Sequence, residues 1–70
     1  MLGLDYSGNF IVFKALRQLE QEYADNDIVN KYISEKQLSF GAFSGKIGLI
    51  AGYKIARNLK KECEDIAARG

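Results

Sequence analysis

The segment FGAFSGKIG, residues 40–48, contains the residue types of a loop that cradles phosphate groups. Such a loop needs glycine, four residues, and then glycine, lysine and a hydroxyl residue, because the hydroxyl binds magnesium beside the phosphates. Here only three residues separate Gly41 from Gly45, and Ile47 follows Lys46 where the hydroxyl residue belongs. The spacing argues against a nucleotide site, and we expect no cofactor.

Cys63, the single cysteine, is the next candidate for chemistry. It lies in the segment KKECED, where the carboxylates of Glu62, Glu64 and Asp65 should raise the pKa of the thiol and suppress the reactive thiolate. The chain has no histidine, the most common general base at neutral pH and a frequent zinc ligand. The sequence therefore predicts a protein that is not an enzyme and holds no metal, with Cys63 as a small residue on a helix face.

Length and charge limit the partners that the chain can have. Its 70 residues predict a single domain, residues 1–70, with one small core. Domains of this size usually gain stability from disulfides, metals or association, and the lone thiol and absent histidine leave association. A formal net charge of +1 argues against nucleic acid as the main partner.

The ends and the apolar runs of the chain bear on its location. The start MLGLDYSG lacks the basic and apolar regions of a secretory signal. The longest uncharged apolar run, residues 47–53, is far shorter than the roughly 20 residues of a membrane-spanning helix. A lone thiol suits a reducing compartment. We expect a cytoplasmic protein without a membrane role.

Hydrophobic spacing predicts an all-α fold, a small three-helix bundle with helices at about 9–23, 26–36 and 40–68. The first helix has an apolar stripe at spacings of four, three and four residues, formed by Val12, Leu16, Leu19 and Tyr23. Ser7 or Asn9 could cap its start. The short polar segment YADND then separates the first two helices.

The third helix is predicted to be the longest and to contain most of the glycines. Ser39 is a suitable N-cap, and Leu38 could pack against Phe43 as a hydrophobic staple. On a helical wheel the small residues form one stripe: Gly41, Gly45, Gly48, Gly52, Ala56, Cys63 and Ala67. A strand-like arm at Leu2–Tyr6 is the one extended segment that the pattern allows.

A large apolar surface in the third helix predicts an interface. Four large apolar side chains lie nearly opposite the glycine stripe, and these are Phe40, Phe43, Ile47 and Ile50. Two short helices cannot easily cover both sides, and a contiguous apolar patch on a small protein usually marks an interface. The predicted interface residues are Phe10, Phe13, Phe43, Ile47, Ile50, Gly48 and Gly52. The alternative is a three-helix monomer in which helices 1 and 2, together with the Leu2–Tyr6 arm, cover the whole apolar surface.

The predicted function follows from this surface. We expect a protein–protein interaction module, a small regulator or inhibitor that binds a larger protein assembly, and we expect it to form a homodimer. The alternative is a helix-turn-helix-like protein that contacts nucleic acid through basic residues of helix 3, which are Lys46, Lys54, Arg57, Lys60 and Lys61. The start of that helix, where such folds read bases, is apolar, and this disfavours the alternative.

Overall fold

The computed structural model describes residues 6–43 and 45–69, which form three α-helices. Helix α1 spans Ser7–Glu22, α2 spans Asp27–Ala42 and α3 spans Leu49–Arg69. The prediction of an all-α three-helix bundle is confirmed. The predicted arm at Leu2–Tyr6 lies outside the described residues, apart from its last residue.

A single apolar stripe on α1 forms the centre of the core. Its predicted members Val12, Leu16 and Leu19 are buried, and Tyr23 is half-buried against them. The whole core consists of Val12, Leu16, Leu19, Val29, Ile33, Ile47, Leu59 and Cys63. All three helices therefore contribute to it, as their apolar periodicity predicts.

Helices α1 and α3 run parallel to each other, and α2 runs antiparallel to both. Gly8 and Gly52 lie together where α1 and α3 begin, while the charge of Glu22 reaches Cys63 near their other ends. Helix α1 packs far more extensively against α3 than against α2. The start of α1, the end of α2 and the start of α3 thus lie at the same end of a molecule that measures 46 × 20 × 16 Å.

The turn between α1 and α2 is held by two asparagines. The side chain of Asn26 caps α2 and accepts a hydrogen bond of 3.1 Å from the N–H of Val29. The amide of Asn30 donates to the carbonyls of Tyr23 at 2.6 Å and Asn26 at 3.0 Å. The bonds to Val29 and Tyr23 satisfy backbone groups that the ends of the two helices leave without intrahelical partners, whereas the carbonyl of Asn26 also accepts from the N–H of Asn30.

The predicted end of helix 2 at residue 36 and start of helix 3 at residue 40 are both wrong, since α2 continues to Ala42 and α3 begins at Leu49. Ser39 lies exposed within α2, and Leu38 is exposed, so neither forms the predicted cap or staple. Phe40 explains the longer helix, because it lies seven residues after Ile33 on the same face and packs against the core.

The connection from Phe43 to Gly48 contains two of the glycines that were predicted to be helical. Gly45 and Gly48 lie in this connection. Gly41 is in the last turn of α2, and of these four glycines only Gly52 is in α3. Each glycine within a helix costs about 1 kcal/mol relative to alanine, which favours a break here. The predicted continuous glycine-rich helix is therefore interrupted.

Asn9 holds this connection against α1. Its Oδ1 accepts a hydrogen bond of 2.8 Å from the N–H of Ile47, and its Nδ2 donates to the carbonyl of Gly45 at 3.3 Å. The N–H of Gly8 donates to the carbonyl of Ile47 at 2.8 Å. Helix α1 begins at Ser7 rather than residue 9, so Asn9 binds the connection instead of capping its own helix.

Candidate protein-interaction surface

The predicted interface residue Gly52 is buried inside the chain. A Cβ built on Gly52 would lie 2.8 Å from the carbonyl oxygen of Gly8 and still closer to its Cα. A Cβ built on Gly8 would lie 2.6 Å from the carbonyl oxygen of Ile47. The helix that approaches Gly52 is therefore α1 of the same chain, and the close contact requires glycine on both sides.

Ile47 and Gly48 also face inward. Ile47 is only 8% exposed and belongs to the core, and Gly48 is half-buried beside Gly8. The sequence analysis placed these two residues and Gly52 on an interacting surface, and the structure corrects this by placing them inside the chain. The misplacement arose because the wheel treated residues 45–48 as helical, whereas the connection turns Ile47 toward α1.

The other predicted interface residues lie on the surface. Phe10 is 77% exposed and Ile50 is 75% exposed, while Phe43 and Phe13 are also exposed. Together with neighbouring side chains they occupy one end of the bundle, which we call the apolar end: Tyr6, Phe10, Phe13, Leu38, Phe43, Leu49, Ile50 and Tyr53. Among the described residues, Ile28 is the one exposed large apolar side chain elsewhere. The three helices thus leave their apolar surplus at a single end.

The apolar end lies in a part of the bundle that is strongly basic. The described stretches 6–19, 36–43 and 45–61 contain eight basic residues and no acidic one, and they extend from the apolar end to the middle of the bundle, where Lys60 lines a groove with Glu22. We call these stretches the basic half. The basic residues are Lys14, Arg17, Lys36, Lys46, Lys54, Arg57, Lys60 and Lys61.

The opposite part of the bundle is acidic. Residues 20–35 and 62–69 form this acidic half, with eight acidic residues and two basic ones. The acidic residues are Glu20, Glu22, Asp25, Asp27, Glu35, Glu62, Glu64 and Asp65. The small net charge of the chain therefore conceals two halves of opposite charge.

Helix stability does not fully explain this separation of charge. A helix has a positive N-terminus and a negative C-terminus, so acidic residues stabilise its start and basic residues its end. Helix α1 has Glu20 and Glu22 in its last turn and no basic residue there, and α3 has no acidic residue in its first turn. Helix α2 follows the favourable order at its start, with Asp27 in the first turn, and α3 follows it at its end, with Arg69 in the last turn. Helix stabilisation therefore accounts for only part of the separation.

An open depression lies between α2 and α3 in the acidic half. It has a volume of about 560 Å³ and a mainly apolar lining, formed by Ile28, Lys31, Tyr32, Glu35, Ile66 and Arg69. The hydroxyl of Tyr32 donates a hydrogen bond to the carboxylate of Glu62, which joins the two helices beside it. Lys36 stands over the ring of Tyr32, 5.5 Å from its centre.

Cys63 is fully buried in the core. Burial raises the pKa of its thiol, and the carboxylates of Glu62, Glu22 and Glu64 raise it further. Burial and the same neighbourhood also raise the pKa of the Tyr23 phenol. The predicted direction of the thiol shift agrees with the structure, although burial is the larger cause and Glu22, on another helix, could not be foreseen. A buried neutral thiol cannot act as a nucleophile without opening of the core.

The basic residues considered for nucleic acid are exposed, and four of them share α3. Lys54, Arg57, Lys60 and Lys61 project outward from this helix, and Lys46 is exposed in the connection. The first turn of α3, however, presents Leu49, Ile50 and Ala51, which offer no hydrogen-bonding side chain to a base edge.

Gly8 and Asn9 are important residues that the sequence reasoning missed or misassigned. Gly8 lies four residues before Val12, so it continues the buried stripe of α1 toward the N-terminus. A glycine at that position on the buried face could have been used to predict a close contact with another helix. The role of Asn9 had no such signal, because its partners are 36 and 38 residues away in the chain.

Comparison with known proteins finds no matching family, and neither the curated proteins nor the solved structures provide a significant match. Within residues 6–43 and 45–69, no helix is long and apolar enough to cross a membrane. In the same residues, no group of three or more side chains is placed to hold a metal ion.

Proposed function

We propose that this protein is a non-enzymatic protein-interaction module, a small regulator or inhibitor that binds a larger protein assembly through its apolar end. The observation that carries the proposal is the concentration of eight exposed large apolar side chains at one end of the bundle. Exposed apolar surface concentrated in one part of a small protein is a feature that usually marks an interaction site.

The composition of the apolar end supports a protein partner. It includes the aromatic side chains of Phe10, Phe43 and Tyr53, and aromatic residues are enriched among the few that dominate binding energy at protein interfaces. The surrounding basic residues would form a polar rim. The proposal places the protein in the cytoplasm, where its single buried thiol would stay reduced.

Site-specific photo-crosslinking in the source cells tests this proposal. A photoreactive amino acid replaces Ile50 at the apolar end or, as a control, the exposed Ser34 in the middle of α2. We expect a discrete adduct with one larger protein from position 50 and not from position 34. The same adduct should disappear when Phe10→Asp is added. Equal labelling from both positions, or adducts with nucleic acid only, would contradict the proposal.

Nucleic-acid binding is the second candidate, and one observation favours it. Lys54, Arg57 and Lys61 lie on the outward face of α3, where they could contact phosphate groups. The apolar first turn of α3 gives this candidate no means of reading sequence. This second function would therefore be non-specific contact with a nucleic-acid backbone, and the affinity for duplex DNA tests it.

A further inference from the structure

We propose that the apolar end of one copy docks on the acidic half of a second copy, so that the chains associate head to tail. The inference rests on the proposed function, because it gives the same apolar end an occupant. Association of this kind would cover the apolar end whenever no larger partner holds it.

Charge decides between the two ways in which copies can meet. A symmetric dimer through two apolar ends would bring two basic halves together, and the described residues of each half include eight basic side chains and no acidic one. Like charges across an interface disfavour such pairing. The acidic half of the same protein carries eight acidic residues against two basic ones. Opposite charges therefore favour contact between unlike ends.

The acidic half also contains an open, mainly apolar depression that could receive a side chain of the second copy. The depression between α2 and α3 contains Ile28, which is 60% exposed and is the single described large apolar side chain exposed away from the apolar end. Tyr32 and Ile66 extend the apolar lining, and Lys31, Glu35 and Arg69 complete it, so the depression itself carries mixed charge and the acidic excess lies in the surrounding half. An aromatic ring such as Phe10 or Phe43 could enter this open space.

The two contacting surfaces are different, so one docking event leaves a free apolar end and a free acidic half. Such a heterologous contact continues into open chains, or into a ring if its rotation closes. This property separates the proposal from a closed dimer. It also allows each surface to be blocked independently.

Two variants block the two surfaces. Phe10→Asp disables the apolar end, and its acidic side chain in the first turns of α1 is favourable for the helix. The pair Glu20→Lys and Glu64→Lys weakens the acidic half at two exposed positions. Ile50→Asp, at the start of α3, is a second apolar-end variant if the first folds poorly. Ser34→Asp, exposed in the middle of α2 and outside the lining of the depression, is the control for an added charge, and because it adds an acid to the acidic half it should not weaken association.

Analytical ultracentrifugation of the purified proteins measures their association. Wild type and Ser34→Asp should form species that grow with concentration and dissociate in high salt. Either blocking change should weaken association by about tenfold or more, the effect of losing one important interface residue. An equal mixture of Phe10→Asp with the Glu20→Lys, Glu64→Lys protein should form a complex of twice the 7.8 kDa chain mass, because one intact surface of each kind remains. Circular dichroism confirms that each variant is folded.

Three results would overturn the inference. A wild type that stays a 7.8 kDa monomer at high concentration excludes self-association, while the crosslinking test of the proposed function still stands by itself. A closed dimer that survives Glu20→Lys and Glu64→Lys, with no mixed complex, assigns the apolar end to a symmetric contact. Co-sedimentation of a monomeric wild type with anionic phospholipid vesicles assigns that end to a lipid surface.

Discussion

Gly8 of α1 and Gly52 of α3 bring two helix backbones into direct contact. The added Cβ of an alanine at position 52 would lie 2.8 Å from the carbonyl oxygen and 3.0 Å from the carbonyl carbon of Gly8. Both neighbours are backbone atoms, which cannot rotate away as a side chain can. This contact sets how closely the starts of α1 and α3 approach each other.

Substitution of Gly52 should therefore destabilise the fold. We expect Gly52→Ala to cost about 1–3 kcal/mol and Gly52→Leu more, because overpacking outweighs the gain in helix propensity. Urea unfolding measures the loss, and the loss should not depend on protein concentration because the contact lies within one chain.

Gly41→Ala is the matched control for this substitution. Gly41 is exposed in the last turn of α2, and among the described residues no atom apart from its chain neighbours and its own helix backbone lies within 4 Å of an added Cβ. We expect it to stabilise by a few tenths of a kcal/mol to about 1 kcal/mol. If Gly52→Ala stabilised the protein as much as Gly41→Ala, the close helix contact would not exist.

The side chain of Asn9 should stabilise the connection between α2 and α3. Asn9→Ala removes the acceptor for the N–H of Ile47, and we expect a loss of about 1–2 kcal/mol. Asn9→Asp keeps the acceptor and adds a favourable charge near the start of α1, but it loses the amide that donates to the carbonyl of Gly45, so it should still cost stability, though less than Asn9→Ala. Thermal unfolding ranks the two variants, with the exposed Asn58→Ala in α3 as the control. Equal losses for all three would show that the hydrogen bonds of Asn9 contribute nothing.

Stability should fall at alkaline pH. Folding raises the pKa of the Cys63 thiol, chiefly through burial, so the folded state binds the proton more tightly than the unfolded state. This contribution is complete below the ordinary thiol value of about 8.5 and is lost as pH rises from there through the folded value. Tyr23, whose phenol pKa is also raised, acts in the same direction from about pH 10 upward.

Cys63→Ala separates these two contributions. The free energy of unfolding, measured by urea at a series of pH values, should begin to fall at higher pH in this variant than in wild type. The variant is also expected to be less stable at neutral pH because it removes buried volume from the core. Identical pH slopes for both proteins would mean that the thiol does not contribute.

Binding to duplex DNA should be weak and independent of sequence. The exposed basic residues of α3 can contact phosphates, but the apolar first turn cannot read bases. At physiological salt we expect dissociation constants of about 10⁻⁴–10⁻⁶ M, the range of non-specific binding. Fluorescence anisotropy with several duplexes measures this, and Lys54→Gln with Arg57→Gln should reduce the salt dependence. Tight, sequence-selective binding would favour the helix-turn-helix alternative over protein interaction.

Much of the fold could be predicted from local sequence pattern. The stripe of Val12, Leu16 and Leu19 identified α1 and its buried face, and the polar residues around Asn26 marked the turn before α2. Local periodicity was sufficient because each of these features depends on residues within a few turns of one another. The exposure of Phe10 and Ile50 also followed, since both lie outside the buried stripes of their helices.

The segment around the glycines was predicted less well. Its apolar residues suggested one continuous helix, whereas Gly45 and Gly48 lie in a connection whose backbone binds Asn9 and Gly8. A helical wheel assumes helical geometry at every position and contains no information on a partner 36 or 38 residues away. Ile47 was consequently placed on the surface, although it belongs to the core.

The sequence by itself determined which residues are apolar, which are charged and where helices can form. Tertiary structure decided which of these residues share an end of the molecule. Along the chain the basic and acidic stretches alternate, and their charges nearly cancel. Because α1 and α3 run parallel and α2 runs antiparallel to both, the described basic stretches come together in the half that contains the apolar end, and the acidic stretches come together in the other half. Helix direction, which is set by packing between distant residues such as Gly8 and Gly52, therefore creates the polarity of the surface.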